Sequence, residues 1–176
     1  MLEIGTGSGA IIISLAKEKE KNRYFALDCS VDALMVACSN AKKNRVSDRI
    51  VFFASDLFSG VYQQNTFDII VSNPPYISTA SINNLQQEIK GYEPVIALDG
   101  KKDGLYFIRE IINSAYKFLK PCGILAMEIG FDQKEQVAQI VHEADCYENI
   151  SFCKDFGGNY RVVQMYRRAD TFKIPI

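Results

Sequence analysis

The sequence predicts an α/β fold: an open, mostly parallel twisted sheet with helices on both faces, ending in a hairpin that contributes an antiparallel strand. Three observations predict it. Short strand-like apolar runs alternate with amphipathic helical runs, which implies parallel strands joined by right-handed crossovers. The run Ile69-Ile70-Val71 is continuously apolar, as in a strand covered on both faces. The last stretch breaks the alternation, with two strand-like runs flanking Gly157-Gly158-Asn159.

Element by element, "MLEI" is a very short first strand that runs into the glycine loop "GTGSG". The stretch from Ala10 to Lys21 reads as a helix, apolar early and charged late. "RYFALD" is the second strand. Ser30 fits the N-cap of the next helix, where Val31, Leu34, Met35 and Cys38 fall at helical spacing. "RIVFFASD" and "FDIIVSN" are the third and fourth strands, followed by a polar segment from Ile77 to Lys102. "DGLYFIREIINSAYKFLK" predicts an amphipathic helix stopped by Pro121, "GILAMEIG" a fifth strand and "DQKEQVAQIVHEAD" a last helix. "ISFCKD" and "YRVVQMYRR" form the closing hairpin.

A chain of 176 residues, 48% hydrophobic, is one domain able to bury a core. Twenty basic against 21 acidic residues give no global electrostatic footprint for nucleic acid or a membrane surface. Apolar runs are strand-sized, so no membrane helix and no membrane partner is expected. Five cysteines without a CxxC pair point to reduced thiols and a cytoplasmic location. The single histidine, His142, lies in a polar helical stretch, so histidine-based metal or triad chemistry is not expected and no metal is predicted.

The chemistry starts at Gly5-Thr6-Gly7-Ser8-Gly9. Glycines between a first strand and a first helix let backbone approach a ligand, with helix N–H groups facing its polar parts. A tight strand–helix turn would account for the spacing alone; Asp28 makes it more specific. Ending the second strand beside this loop, its carboxylate can accept both hydroxyl hydrogens of a ribose. Asp56, ending the third strand, can accept from an adenine amino group, with Leu57 or Phe58 over the ring. A plain turn aspartate is the competing reading of Asp56. Together the strand ends outline a cleft for an adenine nucleoside.

The fourth strand ends in Asn73-Pro74-Pro75-Tyr76. Pro74 drives Asn73 into an extended conformation, and two prolines fix φ and remove two donors. The Asn73 side-chain oxygen and the Pro74 carbonyl become paired acceptors, suited to gripping a planar –NH2 by both hydrogens. Tyr76 can lay its ring on the π-system bearing that amine. A conjugated amide nitrogen is a poor nucleophile, and two such bonds orient it and offset the charge that builds as it attacks. Against a sulfonium methyl held in line, positioning and electrostatics would supply most of the acceleration, with effective molarity contributing up to ~7–11 kcal/mol. No titrating base is required.

"GTGSG" followed by "NPPY" resembles S-adenosylmethionine-dependent methyltransferases that act on planar nitrogen, with a Rossmann-like class I fold. "EPVIALDGKKDGL", "MEIGFDQ" and "DFGGNYRVV" are similar to segments of the release factor glutamine methyltransferases, the HemK/PrmC family. That resemblance covers essentially the whole chain as a catalytic domain, residues 1–176. It implies methyl transfer to the glutamine amide of the GGQ motif in peptide chain release factors, leaving S-adenosylhomocysteine. By the same resemblance Gly5 to Gly9 and Asp28 would hold the cofactor and Asn73 would touch cofactor and glutamine. Pro74, Pro75 and Tyr76 would line the glutamine pocket.

Family members normally carry a helical N-terminal domain and more of the first strand, so the resemblance raises the expectation of a shortened chain with methyl transfer weakened or lost. Glu3 stands where Asp is commoner, and Leu57 where several members have an aromatic residue. Two further readings stay open. An adenine methyltransferase on DNA or RNA would use the same Asn73 grip, with Lys42, Lys43, Arg45 and Arg49 as its basic surface, though a solvated helix end explains those residues as well. An inactive fragment would bind the cofactor at most. The loop from Ser78 to Gly91 is expected to order on substrate.

Overall fold

The computed structural model describes residues 1–62, 64–82 and 94–169. Seven strands form one sheet in the order β3-β2-β1-β4-β5-β7-β6. They are β1 (Leu2–Ile4), β2 (Tyr24–Asp28), β3 (Ile50–Ala54), β4 (Phe67–Ser72), β5 (Leu119–Glu128), β6 (Tyr147–Lys154) and β7 (Tyr160–Arg167). β1 to β5 pair in parallel, and β7 runs antiparallel to both β5 and β6. The hairpin therefore supplies one reversed strand, which lies next to last while β6 takes the edge.

Among the described residues the helices are α1 (Ala10–Glu18), α2 (Val31–Lys43), the single turn α3 (Thr79–Ile82), α4 (Tyr106–Ala115) and α5 (Lys134–Ala144). Alternation along β1 and β2 divides the core in two. Leu2, Ile4 and Leu27 join Ile70, Leu125 and Met127 under α4 and α5. Tyr24 and Ala26 point the other way, onto Ile12, Ile13 and Ala16 of α1 and Ala41 of α2. Among the described residues no helix is long and apolar enough to cross a membrane.

Several boundaries move for identifiable reasons. α1 stops at Glu18, before Lys21, because the buried Tyr24 hydroxyl donates to the Leu15 and Lys19 carbonyls at 2.8 and 2.9 Å and closes the last turn. The helix predicted to run to Lys120 ends at Ala115, and β5 starts at Leu119. Phe67 pairs with Leu119 and Ile69 with Ile124, so Lys120 to Gly123 loop out of the ladder. Pro121 thus sits in a bulge, where its missing N–H breaks no ladder bond. On α2 the apolar spacing misleads: Val31 and Met35 are exposed, and Leu34, Ala37 and Ala41 face inward. Small residues win that face because α1 approaches closely; a Cβ on Gly9 would lie 3.2 Å from the Ala37 Cβ. Ser30 does cap α2, accepting from the Ala33 N–H at 3.2 Å.

Candidate active site

Register alone brings the predicted residues into one row. Ile4 is level with Leu27 on β2 and with Ser72 on β4, and Ser72 is level with Met127 on β5. One residue further on, Asp28, Gly5, Asn73 and Glu128 stand side by side at the carboxyl ends of four parallel strands. Neighbouring strands lie ~4.8 Å apart, so Asp28 and Asn73 flank the glycine loop at about 10 Å from each other. Ligands of open α/β sheets bind at this edge.

The glycine loop is fixed from below. The Gly5 and Thr6 N–H groups donate to the Leu27 carbonyl at 2.9 and 3.0 Å. Gly5, Gly7 and Gly9 have φ of 69°, 53° and 82°, in the left-handed region that favours glycine. A Cβ at Gly5 or Gly7 would point into open space, so the loop presents bare backbone towards the strand-end cleft. Beneath it, Glu3 is 1% exposed, accepts the Thr6 hydroxyl at 2.5 Å, and is pushed up to about 7 by burial, partly countered by that bond and by the Ile12 N–H. Asn40 of α2 donates to the Ser8 carbonyl at 3.0 Å.

Asp28 is buried, and its two oxygens accept the Gly7 and Ser30 N–H groups at 2.8 and 2.9 Å. It therefore braces the loop and the start of α2 together. An ionised carboxylate has about four acceptor sites, which leaves two for a ligand's hydroxyls. Asp56 lies beyond the end of β3, exposed, in a turn closed by the Ser59 N–H on its carbonyl. Leu57 has φ 46° and is half-buried. Phe58 is turned away from the cleft: it is buried and stacks on Phe118 with ring centroids 4.6 Å apart. Leu57 is left as the candidate ring cover.

After β4, Ser72 donates to the Ile4 carbonyl at 2.9 Å, locking the strand end to β1. Asn73 is exposed, Pro74 buried, Pro75 and Tyr76 half-buried. The Tyr76 hydroxyl donates to Glu128 Oε1 at 2.9 Å. The segment "ALDGKKDGL" then runs alongside: Ile77 bridges Asp99, with the Ile77 N–H on the Leu98 carbonyl at 3.0 Å and the Gly100 N–H on the Ile77 carbonyl at 2.8 Å. Asp99 accepts the Thr79 hydroxyl and the Lys101 N–H, and these bonds hold its carboxyl below the usual range.

Two neighbours of this loop escaped the sequence reading as site residues. Glu128 is signalled only as the last polar residue of a strand, and Gln133 only as part of "MEIGFDQ". Residues 83–93, which carry Glu93 and most of the predicted loop, lie outside the described residues. The basic group Lys42, Lys43, Arg45 and Arg49 sits where α2 ends and β3 begins, at the opposite edge of the sheet from the strand-end row. Arg49 is bonded there to the Ala16 carbonyl and lies 3.8 Å from Glu20. Among the described residues no cluster of potential metal ligands occurs.

A family described as a methyltransferase domain matches residues 1–169. A bifunctional methyltransferase of Rickettsia felis is 47% identical over 163 residues, 93% of this chain and 31% of the relative. A release factor glutamine methyltransferase of Fusobacterium nucleatum is 39% identical over 163 residues, 93% of this chain and 46% of the relative. The chain thus spans less than half the length of these two relatives. The crystal structure of a methyltransferase from Pyrococcus furiosus superposes with a TM-score of 0.66 at 22% identity, covering 96% of this chain and 74% of that one.

Proposed function

Because the chain belongs to the methyltransferase-domain family, we propose that it transfers methyl from S-adenosylmethionine to the glutamine amide nitrogen of the GGQ motif in peptide chain release factors. The observation that carries this reading is the strand-end row Asp28, Gly5, Asn73, Glu128, whose bare backbone and acceptors suit a nucleoside on one side and an amide on the other. The curated relatives named for glutamine methylation support the substrate.

The residues present fit the cofactor. Bare backbone at Gly5 and Gly7 leaves room for the amino-acid part and the sugar, and Asp28 keeps two acceptor sites for ribose hydroxyls. Asp56 and Leu57 flank the adenine position. When bound, S-adenosylmethionine supplies a methyl group on positive sulfur, ready for in-line attack. On the other side of the row, the Asn73 side-chain oxygen and the Pro74 carbonyl accept the two amide hydrogens of the glutamine. Tyr76 covers the amide plane, its hydroxyl anchored on Glu128. Gripping both hydrogens holds the nitrogen on line, and acceptors aimed at those hydrogens stabilise the positive charge that develops there. Water takes up the proton released afterwards.

The position of Lys42, Lys43, Arg45 and Arg49 counts against that group as the basic surface of a nucleic-acid enzyme. A flipped base needs phosphate contacts around the pocket, and Lys42, Lys43, Arg45 and Arg49 stand at the far edge of the sheet. The test is competition: labelled S-adenosylmethionine is offered with equal amounts of a release factor and an adenine-containing DNA duplex. Label entering the release factor, and not the same factor with its GGQ glutamine changed to alanine, is the expected result. Label in the duplex would favour the adenine reading. Tight cofactor binding with label in neither would leave a binding fragment.

A further inference from the structure

We infer that Gln133 is a positioning residue for the transfer step, the clamp that sets the height and tilt of the Asn73–Tyr76 loop; this rests on the function proposed above. Its side chain is 7% exposed and makes three bonds to three separate segments. Nε2 donates to the Tyr76 carbonyl at 2.9 Å and to the Gly104 carbonyl at 3.2 Å, and Oε1 accepts the Gly130 N–H at 2.8 Å. The amide-gripping loop, the "ALDGKKDGL" segment and the turn after β5 therefore meet on one primary amide.

Chemistry sets the orientation of that amide. Two carbonyls need two hydrogens from one nitrogen, and one N–H needs one acceptor, which is the inventory of a glutamine side chain. The reversed orientation would set oxygen against two carbonyl oxygens. Both glycines at the junction are cut to fit. A Cβ on Gly130 would lie 2.9 Å from Gln133 Cδ, and one on Gly104 would lie 2.5 Å from the Tyr76 carbonyl oxygen and 2.9 Å from Gln133 Nε2. At Gly130 all three nearest atoms belong to Gln133, whereas Gly104 also meets the φ of 74° that its turn requires.

Tyr76 is consequently held at both ends by the segment that closes β5: its hydroxyl by Glu128, its carbonyl by Gln133. Proline fixes φ at positions 74 and 75, and Pro75 holds Pro74 extended, but ψ of Pro75 stays free and with it the placement of Tyr76 relative to the Pro74 carbonyl. Fixing the Tyr76 carbonyl removes that freedom. Small displacements of such acceptors cost rate, since in-line reaction tolerates errors well below 1 Å.

The test compares Gln133→Glu and Gln133→Leu with the parent chain. A carboxylate keeps the bond from the Gly130 N–H and loses both donations; leucine loses all three. Amide hydrogen exchange is read first because it needs no turnover. The expected result is faster exchange at Ile77 and Gly100 in both variants, and at Gly130 only in Gln133→Leu. Exchange at Ile13, in α1, should stay unchanged. In the transfer assay kcat should fall at least tenfold in both, with cofactor affinity within twofold of the parent. In Gln133→Glu part of the loss should return as pH is lowered and the introduced carboxyl regains a hydrogen to donate. Unchanged exchange at Ile77 and Gly100, or unchanged kcat, would overturn the inference. If the parent chain transfers no methyl to a release factor, the proposed function fails, while exchange at Ile77 and Gly100 still decides whether Gln133 holds the loop.

Discussion

The Gly7 N–H donates to Asp28 Oδ2 at 2.8 Å, so the residue proposed to hold the ribose also holds the loop proposed to take the rest of the cofactor. Its other oxygen accepts from Ser30 at the start of α2. Asp28 therefore braces the loop and the start of α2, and under the proposed function would hold the ribose as well.

Replacing Asp28 with alanine should remove both effects. Hydrogen bonds to charged groups contribute about 1.5–3 kcal/mol each, so S-adenosylmethionine affinity should fall by at least roughly 100-fold in calorimetric titration. Asp28→Asn keeps an acceptor for one of the two backbone amides and should lie between parent and alanine. Equal affinity in all three would remove Asp28 from the site.

Glu3 makes stability depend on pH. Burial raises its folded value from 4.5 to about 7, so between those pH values the folded chain binds more protons than the unfolded one. This group's part of the stability should then be greatest below about pH 4.5, and should decline by about 3 kcal/mol as pH rises through 7, then level off. Urea melts of Glu3→Gln, which keeps an acceptor for the Thr6 hydroxyl, should show that decline missing. Parallel pH profiles for the two proteins would contradict this.

Gly9 and Gly7 should separate stability from binding. At Gly9 an added methyl meets Ile13 Cδ1 at 2.9 Å and Ala37 Cβ at 3.2 Å, in a backbone conformation of φ 82°. Gly9→Ala should cost about 2–4 kcal/mol of stability, combining strain and overpacking. Gly7→Ala has open space and only the conformational strain, so about 1–2 kcal/mol is expected. Its larger effect should be on cofactor affinity, because the methyl enters the cradle. Denaturant melts and calorimetry on both variants check the pair.

Asn73 should show the reverse pattern. It is exposed, so Asn73→Ala should change stability by less than about 0.5 kcal/mol. Methyl transfer should fall by roughly 100- to 1,000-fold, the range for losing one preorganised group that meets developing charge. Loss of folding in this variant would show that the side chain serves the loop instead.

The strand-end row was legible because each of its predicted members closes a recognisable strand: Asp28 after "YFAL", Asn73 after "DIIVS", the glycines after "LEI". Boundaries failed where tertiary pairing overrode local pattern. Phe118 and Leu119 continue a helical spacing, yet Leu119 is taken by Phe67 on β4 and the chain bulges at Pro121 to make that pairing. Met35 looks like core on a helical wheel, yet Gly9 draws α1 against Ala37 and leaves Met35 in solvent. Glu128 and Gln133 had only a faint local signal, one as the last polar residue of a strand and the other inside "MEIGFDQ". Their roles come from what lies across the sheet, Tyr76 and Gly104, and no spacing along the chain reports that.

Under the proposed function, one row of strand ends brings a sulfonium methyl and a glutamine amide together. The most direct measurement is site-resolved mass spectrometry of a release factor after incubation with this chain and S-adenosylmethionine. A single added methyl on the side-chain nitrogen of the GGQ glutamine, lost when Asn73 is replaced by alanine, is the expected result. A methyl placed elsewhere on the factor, or an unmodified glutamine from a chain that binds the cofactor tightly, would contradict it.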